Sequence, residues 1–315
     1  MEAEQVSRLG GLIEENIKKV VIGNDENIRL LICCALAGGH ALLEDVPGTG
    51  KTVMARAFSR SVGGRFSRVQ FTPDLLPQDI TGTRVFRQDT GEFVFHFGPV
   101  FANVLLADEI NRATPRTQSA LLECMQEAQV TEGGTTYPLP EPFLVVATQN
   151  PVEIQGTFPL PEAQLDRFLM RITPGYPDHA HSLELMDRFL TGDPLRTLEP
   201  VCTPAELLGA RECLSECRVD VDVRSQIAQI CEYTRRDERV QLGVSPRGML
   251  ALLRACQAMA LLSGRTYVTP DDVLSLAVPV LAHRVIARGY QYQGDMGTRV
   301  VRDALKAVPV PTEKR

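Results

Sequence analysis

Three short apolar runs set the terms for the first half of the chain. "HALLED" (40–45), "NVLLAD" (103–108) and "FLVVAT" (143–148) are each too brief for a helix and carry Leu and Ala, with Val in the last two, without polar alternation. Strands of that kind are buried on both faces, which points to a parallel sheet covered by helices rather than to a half-solvated antiparallel one. Amphipathic stretches with helical spacing lie between them: "KTVMARAFSRSV" (51–62), and "TPRTQSALLECMQEA" (114–128), where Thr114 can cap and Pro115 opens the helix. "FSRVQF" (66–71) reads as a further strand, and "EAQLDRF" (162–168) as a short helix before the strand "LMRIT". Buried strands alternating with helices predict an α/β domain.

After "TPGYPD" (173–178) the strand signals stop. Thr203 with Glu206, and Thr269 with Asp272, each form a capping box with proline just inside the helix start. In "PRGMLALLRACQAMALLSG" (246–264), Met249, Leu252, Leu253, Cys256, Met259 and Ala260 mark one helical face, and Gly264 fits the stop. The 315 residues suit two domains. The expected division is an α/β domain over 1–174 and a smaller all-α domain over 175–315. Two inserts in the first domain read as hairpins: "TGTRVFRQDTGEFVFHF" (81–97), with alternating Phe93, Phe95 and Phe97 beyond an Asp-Thr-Gly turn, and "VTEGGTTYPL" (130–139), which turns at Gly133–Gly134.

Composition narrows the function. A formal charge of −6 argues against a general phosphate-backbone binder, and the eight cysteines show no C-x-x-C spacing, so they read as reduced core residues rather than zinc ligands. No leader-like or membrane-spanning apolar run is present, so a soluble, cytoplasmic protein is expected.

The chemistry begins at "EDVPGTGKT" (44–52), between a strand and a helix. It fits the phosphate-loop pattern G-x-x-x-x-G-K-[ST] except that Asp45 holds the first glycine position, where a negative φ suffices. Gly48, Thr49 and Gly50 would bring backbone N–H groups to an anion at a helix N-terminus. Lys51 would reach the β/γ-phosphates and the Thr52 hydroxyl a Mg²⁺ ion. "NVLLADEIN" ends in Asp108, placed to hold Mg²⁺ through water, and Glu109, placed to deprotonate an attacking water. "FLVVATQNP" ends at Asn150, a polar neutral side chain able to report the γ-phosphate. Phosphoryl transfer also calls for arginine on the developing charge, and Arg167, Arg171 and Arg247 are the candidates.

The phosphate loop, "LLADEINRATPRTQSALLECMQEAQVT", "VVATQNPVEIQGTFPLPEAQLDRF" and "VSPRG" together resemble the MoxR family of AAA+ ATPases, from "VVIGNDENIRL" to "VLAHRV". The resemblance implies an α/β P-loop NTPase core followed by a helical lid. It places Val21, Ile22 and Gly23 near adenine, and Lys51 and Thr52 as the Walker A pair. Asp108 and Glu109 become the Walker B pair, Asn150 sensor 1, Arg247 the sensor 2 arginine of the lid, and Arg167 the finger inserted into a neighbour's site. It further implies ATP and Mg²⁺ as cofactors, a ring, most simply a hexamer, and chaperone-like action on metalloenzymes or other complexes with a separate von Willebrand factor A domain partner. A nucleic-acid motor and a non-hydrolysing scaffold are the rival functions. The hairpins, poor in Lys and Arg, tell against the first, and intact Lys51, Asp108 and Glu109 against the second.

Overall fold

The computed structural model describes residues 1–44, 48–149, 156–289 and 295–311. Two helices come first, α1 (Ala3–Lys18) and α2 (Asp25–Leu36). The α/β region follows with β1 (Ala41–Glu44), α3 (Lys51–Ser61), β2 (Phe66–Gln70), α4 (Pro77–Thr81), β3 (Gly82–Arg87), β4 (Glu92–Phe97), β5 (Val104–Asp108) and α5 (Pro115–Glu127). It closes with β6 (Gln129–Glu132), β7 (Thr135–Pro138), β8 (Leu144–Gln149), α6 (Glu162–Leu165) and β9 (Met170–Ile172). The helical region holds α7 (His179–Thr191), α8 (Pro204–Glu212), α9 (Val221–Arg236), β10 (Val240–Leu242), α10 (Pro246–Leu262), α11 (Pro270–Leu281), β11 (Ile286–Ala287) and α12 (Met296–Ala307).

The sheet runs β2-β5-β8-β1-β9, and every pairing in it is parallel. All N-terminal strand ends therefore lie at one edge of the molecule and all C-terminal ends at the other. Leu43, Leu106 and Val146 pack on one face with α2 and α3, and Leu42, Leu105 and Val145 on the other with α5. This two-sided burial is why the strands read as continuous apolar runs.

One capping box forms in full, with Thr203 and Glu206 bonding each other's backbone N–H; at the other, the Asp272 carboxylate accepts the Thr269 N–H and hydroxyl, while the Asp272 N–H goes to the Thr269 carbonyl. Thr114 sits at its helix N-cap without a side-chain cap bond, and its hydroxyl meets Thr117 at 3.3 Å instead. The all-helical expectation for the second half needs one addition. β10 and β11 pair antiparallel, a two-stranded clip too short to leave a period in the sequence. All eight cysteines are free and buried.

Helix α1 packs against the lid. Ser7 donates to the Leu262 carbonyl at 3.0 Å, and Gly10 admits the Leu262 side chain so closely that a Cβ would stand 2.3 Å from it. The N-terminal helices thus share one apolar core with α10 and α11. Both inserts are hairpins, joined by an aromatic cluster in which Phe95 stacks on Tyr137 at 4.4 Å and Phe97 meets Phe101 edge-on. Beyond that cluster the first hairpin's tip exposes Phe86 and Phe93.

Candidate nucleotide site

The phosphate-loop residues follow the C-terminal end of β1. Gly48 and Gly50 have φ of +87° and +82°, the left-handed region that a Cβ penalises, and open space surrounds both Cα atoms. With Lys51 opening α3, this is a helix N-terminus preceded by backbone free to approach an anion. Asp45 lies outside the described residues, as does Asn150. Val21 and Ile22 are buried, and Gly23 (φ +69°) stands under His181 of α7, whose ring would meet a Cβ at 2.7 Å. This stretch therefore borders the crossing from sheet to lid, where Asn27 also reaches the Pro174 carbonyl.

Asp108 and Glu109 meet at the C-terminal end of β5, held by four residues whose part the sequence did not disclose. Thr148, the polar end of the apolar run "FLVVAT", donates to Asp108 Oδ1 at 2.6 Å and accepts the Glu109 N–H at 2.8 Å. Arg68 on β2 meets Asp108 Oδ2 at 2.7 Å. Glu109 adopts φ +55°, a left-handed conformation costly for a residue with a side chain. Its Oε2 accepts from Gln70 Nε2 at 2.8 Å and Arg112 Nη1 at 2.9 Å. The turn lifts the carboxylate off the strand line, and the two donors fix its direction.

Magnesium fits this donor set. Thr52, in the first turn of α3 after β1, and Asp108, at the end of β5 one strand beyond β8, offer hard oxygens at the C-terminal side of the sheet, and no group of three or more His, Cys, Asp or Glu that could cage an ion occurs among the described residues. That suits an ion which takes most of its ligands from phosphates and water and only one or two from protein.

The arginines divide between the two ends of the sheet. Arg167 precedes β9, and two residues later the Leu169 N–H donates to the His40 carbonyl, just ahead of β1. Arg167 therefore lies at the N-terminal strand ends. The four residues of β1 separate the levels of Arg167 and the phosphate loop by roughly 13 Å of strand. Arg247 is there too. It lines, with Arg167, Arg254, Arg284 and Asp166, a cavity of about 450 Å³ reaching to Gly38 and His40. Four arginines against one aspartate make this a cationic pocket. Arg254 joins it because residues seven apart share a helix face with Arg247, a spacing visible in the sequence. Arg171 is committed elsewhere. In the middle of β9 it bonds Glu44 at 3.1 Å, Thr298 at 3.1 Å and Asp295, tying β1 and β9 to the start of α12.

A chain with this parallel sheet, glycine-rich loop and helical lid is an AAA-type ATPase by architecture. The family described as "ATPase family associated with various cellular activities (AAA)" matches residues 40–170, and "AAA lid domain" matches residues 232–304. The chain is 46% identical to the protein YeaC of Bacillus subtilis, over 99% of this chain and 98% of that one. It is 44% identical to Chaperone MoxR1 of Mycobacterium tuberculosis, over 86% of this chain and 74% of that one. The crystal structure of a candidate ATPase from Cytophaga hutchinsonii superposes with a TM-score of 0.89 at 36% identity, covering 98% of this chain and 97% of the other. This chain belongs to the MoxR family of AAA+ ATPases.

Proposed function

We propose that the chain hydrolyses Mg²⁺–ATP at a site shared between two copies, and that turnover in a ring drives chaperone-like remodelling of a protein complex. The observation that carries this reading is the separation of the cationic pocket from the phosphate loop across one parallel sheet. Lys51 and the loop amides bind the phosphates, Thr52 and Asp108 hold the ion, and Glu109 takes the proton of the attacking water. Asn150 orients that water against the γ-phosphate. Arg167 and Arg247 stabilise the charge that develops in the site of the adjacent copy, since their own site lies at the opposite sheet edge. A bound metal ion supplies charge neutralisation at the β/γ-phosphates.

The name of the Mycobacterium relative supports a chaperone role, and a six-membered ring with a separate von Willebrand factor A domain partner is the assembly we infer. No helix among the described residues is long and apolar enough to cross a membrane, which accords with action in the cytoplasm. The exposed Phe86 and Phe93 suit an apolar polypeptide segment better than a phosphodiester backbone.

The test is ATP turnover per subunit against protein concentration, with particle mass followed in the same samples. Turnover that rises as rings form is expected, with Lys51→Ala abolishing nucleotide binding and Glu109→Gln binding ATP without turning it over. Arg167→Ala should bind normally, lose turnover, and regain it when mixed with Glu109→Gln subunits that donate intact fingers. Turnover that stays flat through assembly, or an Arg167→Ala defect that mixing does not repair, would remove the shared site.

A further inference from the structure

Arginine 284 is buried, 6% exposed, in the turn that follows α11, and its guanidinium leaves the lid to grip the α/β region. Nη2 donates to the Phe168 carbonyl at 2.8 Å and to the Asp166 carbonyl at 3.3 Å, the residues on either side of Arg167. Nε stands 3.0 Å from Asp166 Oδ1 as an ion pair. Nη1 donates to the Val280 carbonyl at 2.9 Å and to His283 Nε2 at 2.8 Å, so the lid end of the clasp is fixed as well. Ser245, the N-cap of α10, reaches the same Asp166 carboxylate at 3.3 Å.

The lid makes room for this side chain. A Cβ on Gly248 would meet Arg284 Cδ at 2.8 Å and Nε at 3.1 Å, so the glycine of "VSPRG" clears the path of the stem. Desolvation brings the Arg284 guanidinium down to about 10, still charged at neutral pH. Burying that charge is expensive, and replacing it with an apolar side chain would satisfy packing alone. A planar fork on two carbonyls fixes direction as well as distance, which is what holding a short loop in one orientation requires. The position of the turn adds a second observation. Arg284 lines the cationic pocket, while its neighbour His283 lines a cavity of about 900 Å³ that reaches Glu44 and Gln149 at the opposite strand ends. One turn of the lid thus borders two cavities, one towards each end of the strands.

We propose that Arg284 is a positioning residue that holds Arg167 in its donating conformation from the lid, so that a subunit presents its finger to a neighbour only while its own lid is docked. The proposal rests on Arg167 acting in trans. Loosening Arg284 leaves the subunit's own phosphate loop, Asp108 and Glu109 untouched but lets the finger wander. Misplacement by about 1 Å costs on the order of 10²-fold in rate. The defect belongs to the donor, and the neighbour suffers it.

The test compares Arg284→Met with Arg167→Ala, alone and in mixtures, by Mg²⁺–ATP affinity, particle mass and turnover. Arg284→Met is expected to bind ATP and form rings as the parent does, and to lose turnover by about 10- to 100-fold. Added Glu109→Gln subunits should restore its turnover, because they supply well-held fingers to its intact sites. Added Arg167→Ala subunits should not. Full turnover by Arg284→Met alone, or failed repair by Glu109→Gln while Arg167→Ala is repaired, would overturn the positioning role. If Arg167→Ala itself is not repaired, the shared site fails first, and the two failures are told apart. Should Arg284→Met not fold, Asp166→Asn, which removes the ion pair and keeps the volume, must show the same donor-side defect in smaller degree; its absence would refute the role equally.

Discussion

Arg68 occupies one oxygen of the carboxylate that we assign to the metal ion, and this sets up a measurable competition. Its Nη2 stands 2.7 Å from Asp108 Oδ2, with the Arg68 side chain 49% exposed and that of Asp108 15%. Whatever binds Asp108 through that oxygen must first displace the guanidinium. Exposed ion pairs contribute about 0.2–1 kcal/mol, and the low exposure of Asp108 places this one toward the upper end. At 1.4 kcal/mol per tenfold, 1 kcal/mol is about a fivefold change in an equilibrium constant. Arg68→Ala should therefore lower the free Mg²⁺ concentration for half-maximal turnover by about two- to fivefold, with nucleotide affinity in the absence of metal unchanged. Arg68→Lys, which keeps a charge but loses the fork, should fall between. The assay is steady-state phosphate release against free Mg²⁺ at saturating ATP. A half-saturation point that does not move, or that rises, would show that Arg68 assists the metal site rather than competing with it.

Three further outcomes follow from the packing. Burial brings the His40 imidazole down to about 4 from an ordinary 6.5, so the unfolded chain takes up the proton first. Its contribution is complete above pH 6.5 and is lost as pH falls towards 4, about 3 kcal/mol in all. Urea midpoints at pH 7 and pH 5 should show that decline, and His40→Gln should flatten it. Asp272→Ala leaves the Arg265 fork without the carboxylate it meets at 2.6 Å and opens the cap of α11, so a loss of about 3 kcal/mol is expected by urea unfolding. Phe95→Ala, cutting into the cluster between the hairpins, should cost about 3 kcal/mol, whereas Phe93→Ala at the exposed tip should stay within about 0.5 kcal/mol in the same assay.

Much of the fold was legible because burial and periodicity agree along β5, β8 and α10. Those residues are apolar wherever both sheet faces, or one helix face, are covered. The helix starts at Thr203 and Thr269 were legible because a capping box is local chemistry. Interactions between distant segments were not. Nothing in "FSRVQF" says that its arginine will lie beside Asp108, since pairing of β2 with β5 decides it. Nothing in "VLAHRV" says that its arginine will pass Gly248 and flank Arg167. The motif "VSPRG" marks Arg247 as a lid arginine, but only the lid's docking shows at which end of the strands it lies. The attachment of α1 to α10 was equally hidden, because an amphipathic helix declares an apolar face and not what covers it.

The parallel sheet has a consequence for assembly. In the shared-site assembly proposed above, with an acceptor at one end of the strands and a donor at the other, each copy would join the next through two different surfaces, so the contact is heterologous and has a direction. Such a contact cannot be satisfied in a symmetric pair. It propagates until rotation closes it, and an open row of copies always carries one site without a donor and one donor without a site. Closure alone gives every copy both halves. A single copy whose finger is lost then silences its neighbour's turnover and not its own, so a defect in such an assembly is read out one position away from where it lies.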